Sequence, residues 1–388
     1  MRLMLLNRFI TWVRLGLAVL LLGSPLAWAG VLPEDRADLL LHQYEGGGVT
    51  ISGPSLLVRK KFGENLAANA TYEVDMVSSA SIDVLSAASA YKETRDQWSG
   101  GVSYLRGKTT YNVNFLNSSE KDYYSDNASL SISEDMFGDL TTVTLGFTRG
   151  WDDVKQRLNK SGTQYADKGT VDRRNYRLGL SQIVTRNFLM GLNYESAAQE
   201  GYLQNPYRRV RYGASNSTAI SYQNEIYPRT RTANAATLDG RYYLPYRASV
   251  KGSYRYYSDS WGILAHTGEL EYVHPIKSFI AEASVRYYTQ TRADFYADLF
   301  PYIDAQNFLA RDKELSTFND VTLHLGLNWR RAWTPSVSGV ASVFYDRIQY
   351  SYQDFRNNLP RYSGRAPINQ PLYSYGANVF QVQYSLQF

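Results

Sequence analysis

The residue types that could do chemistry are sparse in this chain. It has four histidines and no cysteine. His42 lies in a short amphipathic stretch, His266 and His324 in longer ones, and His274 beside Pro275 in a turn. No two histidines have the H-x-x-x-H spacing that places imidazoles on one helix face for a metal. No Ser or Asp adjoins a histidine in a nucleophile motif, although such a triad is defined by geometry and not by spacing. Without cysteine there is no thiol catalysis, no thiolate ligation of zinc or iron–sulfur clusters, and no disulfide framework. Acidic residues gather at Asp152-Asp153 and at Asp294, Asp298 and Asp304. They lack the dense D-x-D-x-D-G spacing that wraps calcium, and they read as solvated loop charge. The chain is therefore read as a non-enzyme with no cofactor and no metal ligands.

What remains is charge at every second position. In 247–257 the even residues Ala248, Val250, Gly252, Tyr254 and Tyr256 are apolar or small, and Arg247, Lys251 and Arg255 fall on the other face. In the next stretch Leu264, Gly268, Leu270 and Tyr272 oppose Glu269 and Glu271. A tight hairpin over 258–262 is expected to set Lys251 near Glu269. Glu282 and Arg286 share a face in 278–290, as do His324, Asn328 and Arg330 in 320–330. Both signs thus occur in adjacent ladders. They can serve as a hydrated, salt-bridged wall, or as a selectivity zone for a small charged solute crossing a pore.

The elements that must hold these ladders are strands. A period of two puts alternate side chains on opposite faces. The last stretch shows it best: Phe380, Val382, Tyr384, Leu386 and Phe388 alternate with Gln381, Gln383, Ser385 and Gln387. An amphipathic strand ending on an aromatic residue is the expected barrel-closing strand of an outer-membrane protein. About fifteen such segments of roughly ten residues follow one another, with a weaker one at 37–44; ten residues suit a tilted membrane-crossing strand. Short turns and long loops alternate along the chain, as they do in outer-membrane barrels. Long loops are expected at 77–94, 151–170, 197–229, 291–317 and 351–374. Both termini on one side require an even number, so the expectation is an all-β, transmembrane, antiparallel up-and-down barrel of sixteen strands, with fourteen as the alternative. The paired tyrosines Tyr123-Tyr124, Tyr242-Tyr243, Tyr256-Tyr257 and Tyr287-Tyr288 read as interfacial girdle residues.

Composition agrees with that class. Mean hydropathy is −0.39, yet 33 residues are Tyr and 14% are aromatic. A polar lumen face diluting a lipid face gives both values. Arg2, Arg8 and Arg14, an apolar run from Leu15 to Leu22, and Ala27-Trp28-Ala29 form a secretory signal. Residues 1–29 are read as this signal and 30–388 as one barrel domain. Taking its three arginines from the net charge of +5 leaves the rest near +2, which gives no basic footprint for nucleic acid. The expected surroundings are the outer membrane of a Gram-negative bacterium, its lipid and lipopolysaccharide, and the barrel-assembly machinery.

Gly53 to Gly63 (GPSLLVRKKFG), Val74 to Val84 (VDMVSSASIDV), Asp135 to Thr142 (DMFGDLTT), Thr148 to Asp152 (TRGWD) and Tyr242 to Pro245 (YYLP) together resemble the Gram-negative family called domain of unknown function 3570. The resemblance covers nearly all of 30–388 and is more specific in the N-terminal half. It implies an outer-membrane barrel and a periplasmic redox or metal context. It supplies no catalytic or binding residues.

The leading expectation is a channel or transport component for small polar or charged solutes. The alternative is a non-conducting scaffold barrel whose loops bind a partner. A barrel hydrolase using His324 is the third reading.

Overall fold

The computed structural model describes residues 31–79, 91–159, 164–362 and 364–388. The expected signal sequence at 1–29 and the centre of the expected loop at 77–94 lie outside the described residues. Among the described residues, eighteen strands follow in chain order. β1 (Arg36–Gly46), β2 (Val49–Phe62), β3 (Leu66–Ser79) and β4 (Tyr91–Arg106) come first. β5 (Thr109–Ser119), β6 (Tyr123–Met136), β7 (Thr141–Arg157), β8 (Tyr165–Thr185) and β9 (Phe188–Gly201) continue the run. A short hairpin of β10 (Arg209–Tyr212) and β11 (Ser221–Asn224) stands apart as its own two-stranded sheet. β12 (Thr230–Tyr243), β13 (Ser249–Asp259), β14 (Leu264–Ile276) and β15 (Phe279–Gln290) resume the main sheet. β16 (Phe318–Thr334), β17 (Val337–Arg356) and β18 (Leu372–Gln387) complete it.

Sixteen of these close into one antiparallel barrel. Each strand pairs with its neighbour in sequence, and β1 pairs with β18 from Arg36↔Gln387 to Gly46↔Ala377. The weak segment at 37–44 is therefore a full strand, and the even count of sixteen holds. Closure matters because lipid offers no hydrogen-bond partner to a strand edge.

Parity assigns the faces as the alternation predicts. Leu323, Leu325, Leu327 and Trp329 of β16 are between 42% and 61% exposed and point outward. In β18 Phe380, Val382, Tyr384 and Phe388 are exposed on the outer face, with Leu386 on the same parity, while Val379 and Gln381 are buried inside. The tyrosine pairs split accordingly. Tyr124, Tyr256 and Tyr287 are exposed on the outer face, but their neighbours Tyr123, Tyr257 and Tyr288 turn inward. One residue of each such pair is a girdle residue, because adjacent positions cannot share a face.

The two ends differ. One end, which also holds Arg36 and Gln387, has tight turns with left-handed residues such as Gly63, Gly107 and Gly138. The other carries the long connections. Several of these are shorter than expected, because strands run on beyond the apolar belt: β7 reaches Arg157 and β8 starts at Tyr165. That extension pairs backbone groups in water as readily as in lipid, so polarity alone does not mark where a strand ends.

The register at the seam gives a direct check. Leu41→Cys with Val382→Cys places two thiols on paired Cα positions of one face. In this cysteine-free chain they should form an intramolecular disulfide, since paired antiparallel Cα atoms lie about 4.5–5.5 Å apart. Leu41→Cys with Gln383→Cys should not, because the side chains take opposite faces. Equal cross-linking of both pairs, read by gel mobility, would show that the seam has a different register.

Candidate functional site

The inner wall has two chemically different sides. β5, β6 and β7 present Asn112, Asn114, Ser129, Ser131, Ser133, Thr144 and Gly146, all partly buried and neutral. Ser103 Oγ donates to Asn112 Oδ1 at 2.6 Å, and Ser133 and Thr144 hydroxyls meet at 2.8 Å. Across the barrel, β8, β9 and β12 to β17 carry charge. Arg241 meets Glu271 at 3.2 Å, Arg255 and Arg177 both meet Glu195 at 3.1 and 3.0 Å, and Arg286 meets Asp320 at 2.8 Å. His324 Nδ1 lies 2.6 Å from Asp346 Oδ1, with its ring stacked on Phe344 at 5.8 Å.

The candidate ladder residues fall mostly on this wall. Lys251, Arg255, Glu269, Glu271, Glu282, Arg286 and His324 are all partly buried inside it. Two placements differ from expectation. Arg247 is not in a strand. It is exposed in the turn before β13 with φ +69°, its N–H donating to Leu244 O at 3.1 Å. The turn after Tyr243 needs five residues because Pro245 cannot donate to a ladder, and that takes Arg247 out of register. Lys251 stands opposite Glu271, not Glu269. Glu269 is opposite Ser253 on one side and Arg286 on the other. The hairpin between β13 and β14 is centred on Trp261, one residue later than expected, so the pairing slips by two. Arg330 sits exposed at the turn end, donating to Gln387 Oε1 at 3.3 Å.

Sequence spacing could not reveal what the barrel brings together on β1 to β4. His42 Nε2 lies 2.8 Å from Asp75 Oδ1, two strands away. Between them is Gly53, paired with His42, where a Cβ would run into the Val74 carbonyl. The absent side chain lets His42 reach over β2. Arg95 then bonds both Asp75 and Glu73, the latter at 2.9 Å. Glu282 also lies over a glycine, its paired position Gly326 on the adjacent strand β16, and accepts from Asn328 of that same strand at 3.0 Å.

The loop end is filled. Lumen-facing Tyr350, Tyr352 and Tyr373 pack with Phe318, Phe355 and Tyr375 in an aromatic layer with ring centroids 4.7–6.4 Å apart. Trp261, Tyr227 and Phe295 form a second group with centroids 5.2–5.5 Å apart, Trp261 meeting both other rings edge-on. Over these lie the loops. Ile226 and Leu309 exchange backbone hydrogen bonds at 2.9 and 2.7 Å, and Gly213 and Phe300 join the hairpin of β10 and β11 to loop 291–317. Asp298 is shared by Arg211 and Arg311 and also accepts from Arg356 N–H at 3.2 Å. Arg211 Nη1 donates to Gln370 Oε1 at 2.6 Å, so three separate loops meet at one buried guanidinium. Arg208 pairs with Asp312. Glu225 is buried beside that pair, accepting from Tyr227 Oη at 2.8 Å and from Arg311 N–H at 2.7 Å. Burial pushes its carboxyl up to about 7, against the opposing pull of Arg208. The expected loops at 197–229, 291–317 and 351–374 are thus a folded cap and not a solvated fringe.

A family model described as "Protein of unknown function (DUF3570)" matches residues 85–347. No curated protein matches the sequence. Solved structures that are similar include the siderophore receptor PirA from Pseudomonas aeruginosa, at 13% identity and TM-score 0.41. There 83% of this chain covers 57% of the receptor. A bacterial polysaccharide outer membrane secretin gives 9% identity and TM-score 0.49, covering 93% of this chain and 99% of that one. A Pseudomonas aeruginosa FadL homologue gives 11% and 0.42, covering 92% and 91%. Likeness this distant says nothing of what this chain carries.

Two tests of the cap follow from its charges. Asp298→Ala leaves two buried guanidiniums without their shared acceptor, a loss of about 3–5 kcal/mol. The cap loops should then be nicked by protease at neutral pH while the barrel keeps its heat-modifiable gel mobility. Glu225 adds a pH dependence. With its carboxyl raised in the folded cap, the cap binds a proton that the opened loop releases, so stability is greatest at acid pH and falls as pH rises through about 7. Protease sensitivity should rise over that window, and Glu225→Gln should flatten the rise.

Proposed function

This chain belongs to the family described as protein of unknown function DUF3570, and we propose that it is an outer-membrane channel gated by its own loops, for small charged solutes. The turn end faces the periplasm and the capped end faces outward. The observation that carries the reading is the charged wall beneath the cap. Lys251, Glu269, Glu271, Arg255 and Arg286 remain partly exposed there, while the inner faces near the cap are closed by Tyr350, Tyr373 and Val379. A barrel of sixteen strands is in the size range that leaves an aqueous bore. Opposed charged and neutral walls set a field across that bore, which sorts solutes by sign and dipole.

The second reading is a scaffold barrel, favoured by the same cap. A lid with an apolar layer and shared ion pairs is what a closed barrel presenting its loops to a partner would have.

Planar-bilayer recording separates the two. The wild-type protein should be closed for most of the time at neutral pH, with brief openings. Folded Asp298→Ala should conduct steadily, and Lys251→Glu in that background should shift reversal potential toward cation preference. If Asp298→Ala inserts with intact heat-modifiable folding and stays silent, the channel reading fails and the scaffold reading replaces it.

A further inference from the structure

The neutral side of the lumen ends, at the capped end, in a carboxylate cluster that the charged wall does not use. Glu93 comes from β4, and Glu120 and Asp122 come from the turn joining β5 and β6. Their carboxylate oxygens lie within 4.8 Å of one another. Glu120 and Asp122 are only 4% and 3% exposed. Glu120 Oε2 and Asp122 Oδ1 are buried without a hydrogen-bond donor. The other Asp122 oxygen is held by Tyr207 Oη at 2.6 Å. The nearby cation, Arg95, spends its Nη2 on Glu73 and Asp75. Burial holds the Glu120 carboxyl well above the ordinary carboxylate range.

A buried anionic oxygen with no donor requires either a proton or a cation. A proton shared between two of these carboxyls would still leave two negative charges among the three side chains of the cluster. The donors are all oxygen, which selects a hard ion over zinc or copper. Oxygens on opposite sides of a calcium ion bound at about 2.4 Å lie about 4.8 Å apart, whereas magnesium holds its ligands at about 2.0–2.1 Å in a stricter octahedron.

We propose that Glu93, Glu120 and Asp122 bind a calcium-class divalent cation at the capped end of the barrel. The ion joins β4 to the turn between β5 and β6. Through Asp122 it reaches the cap, since Tyr207 Oη also accepts from Arg157 N–H at 2.6 Å and Lys155 N–H donates to Asp122 O at 2.9 Å. The site stands whether or not the barrel conducts.

The test uses the folded full barrel in detergent, with terbium as the probe. Tyr123 and Tyr124 adjoin the site and should sensitise its luminescence. One terbium per barrel is expected, displaced by calcium at about 1 mM or below and much less readily by magnesium. Glu120→Gln with Asp122→Asn should weaken terbium binding roughly tenfold or more through lost ligand charge, with folding checked by heat-modifiable mobility. Glu93→Gln alone, outside the buried turn, should weaken it by a smaller factor and decides the matter if the double variant does not fold. No sensitised uptake by the wild type, or unchanged affinity in the folded variants, overturns the proposal.

Discussion

Everything in this structure depends on the seam between β1 and β18. A strand edge in lipid leaves a row of N–H and C=O groups with no partner, each costing several kcal/mol by general estimate. The only remedy for a sheet that crosses a membrane is to meet itself. Eleven paired positions, Arg36↔Gln387 to Gly46↔Ala377, do this here. Once the ring is shut, every strand has a fixed neighbour and a fixed face. The outer face is then committed largely to leucine, tyrosine and tryptophan, and the few polar groups there, such as His266 and Asp96, bond to outer-face tyrosines.

That commitment explains why the lumen is built from unusual contacts. Inside the ring, side chains two strands apart come within reach of each other. Small residues decide which ones do. At Gly53 a missing side chain lets His42 extend across a whole strand, and at Gly326 one lets Glu282 lie flat on the neighbouring strand to reach Asn328. The result on β1 to β4 is a chain of polar contacts from His42 through Asp75 to Arg95 and Glu73. Such buried charges are acceptable only when paired and hydrogen-bonded, and glycine supplies the space for pairing.

Strand number, facing and the closing strand were legible in the sequence because they follow from a period of two, which any window of ten residues displays. Most of the charged wall was legible for the same reason. Pairing partners were not. Lys251 met Glu271 instead of Glu269 because the turn between β13 and β14 is centred one residue later, on Trp261, and the resulting shift of two preserves parity while changing every partner. Arg247 was lost to a turn whose length Pro245 sets. The cap was invisible altogether. Its key contacts join residues 87 and 159 positions apart, Arg211 to Asp298 and to Gln370, and loop sequences carry no periodicity that would announce them.

The composition of the cap bears on whether it can open. A lid sealed by apolar packing alone would be most stable closed, with its opened state exposing an aromatic surface to water. Here the aromatic layer belongs largely to the strands: Phe318, Tyr350, Tyr352, Tyr373 and Tyr375 stand on β16, β17 and β18. The loops add polar anchors, with Asp298 serving Arg211, Arg311 and the Arg356 backbone at once. Buried ion pairs add little net stability over apolar packing, because desolvation offsets most of their attraction. Their free energy also changes with protonation and ionic conditions, as hydrophobic contact does not. In the proposed gated channel that sensitivity would act at Asp298, the carboxylate on which three loops converge.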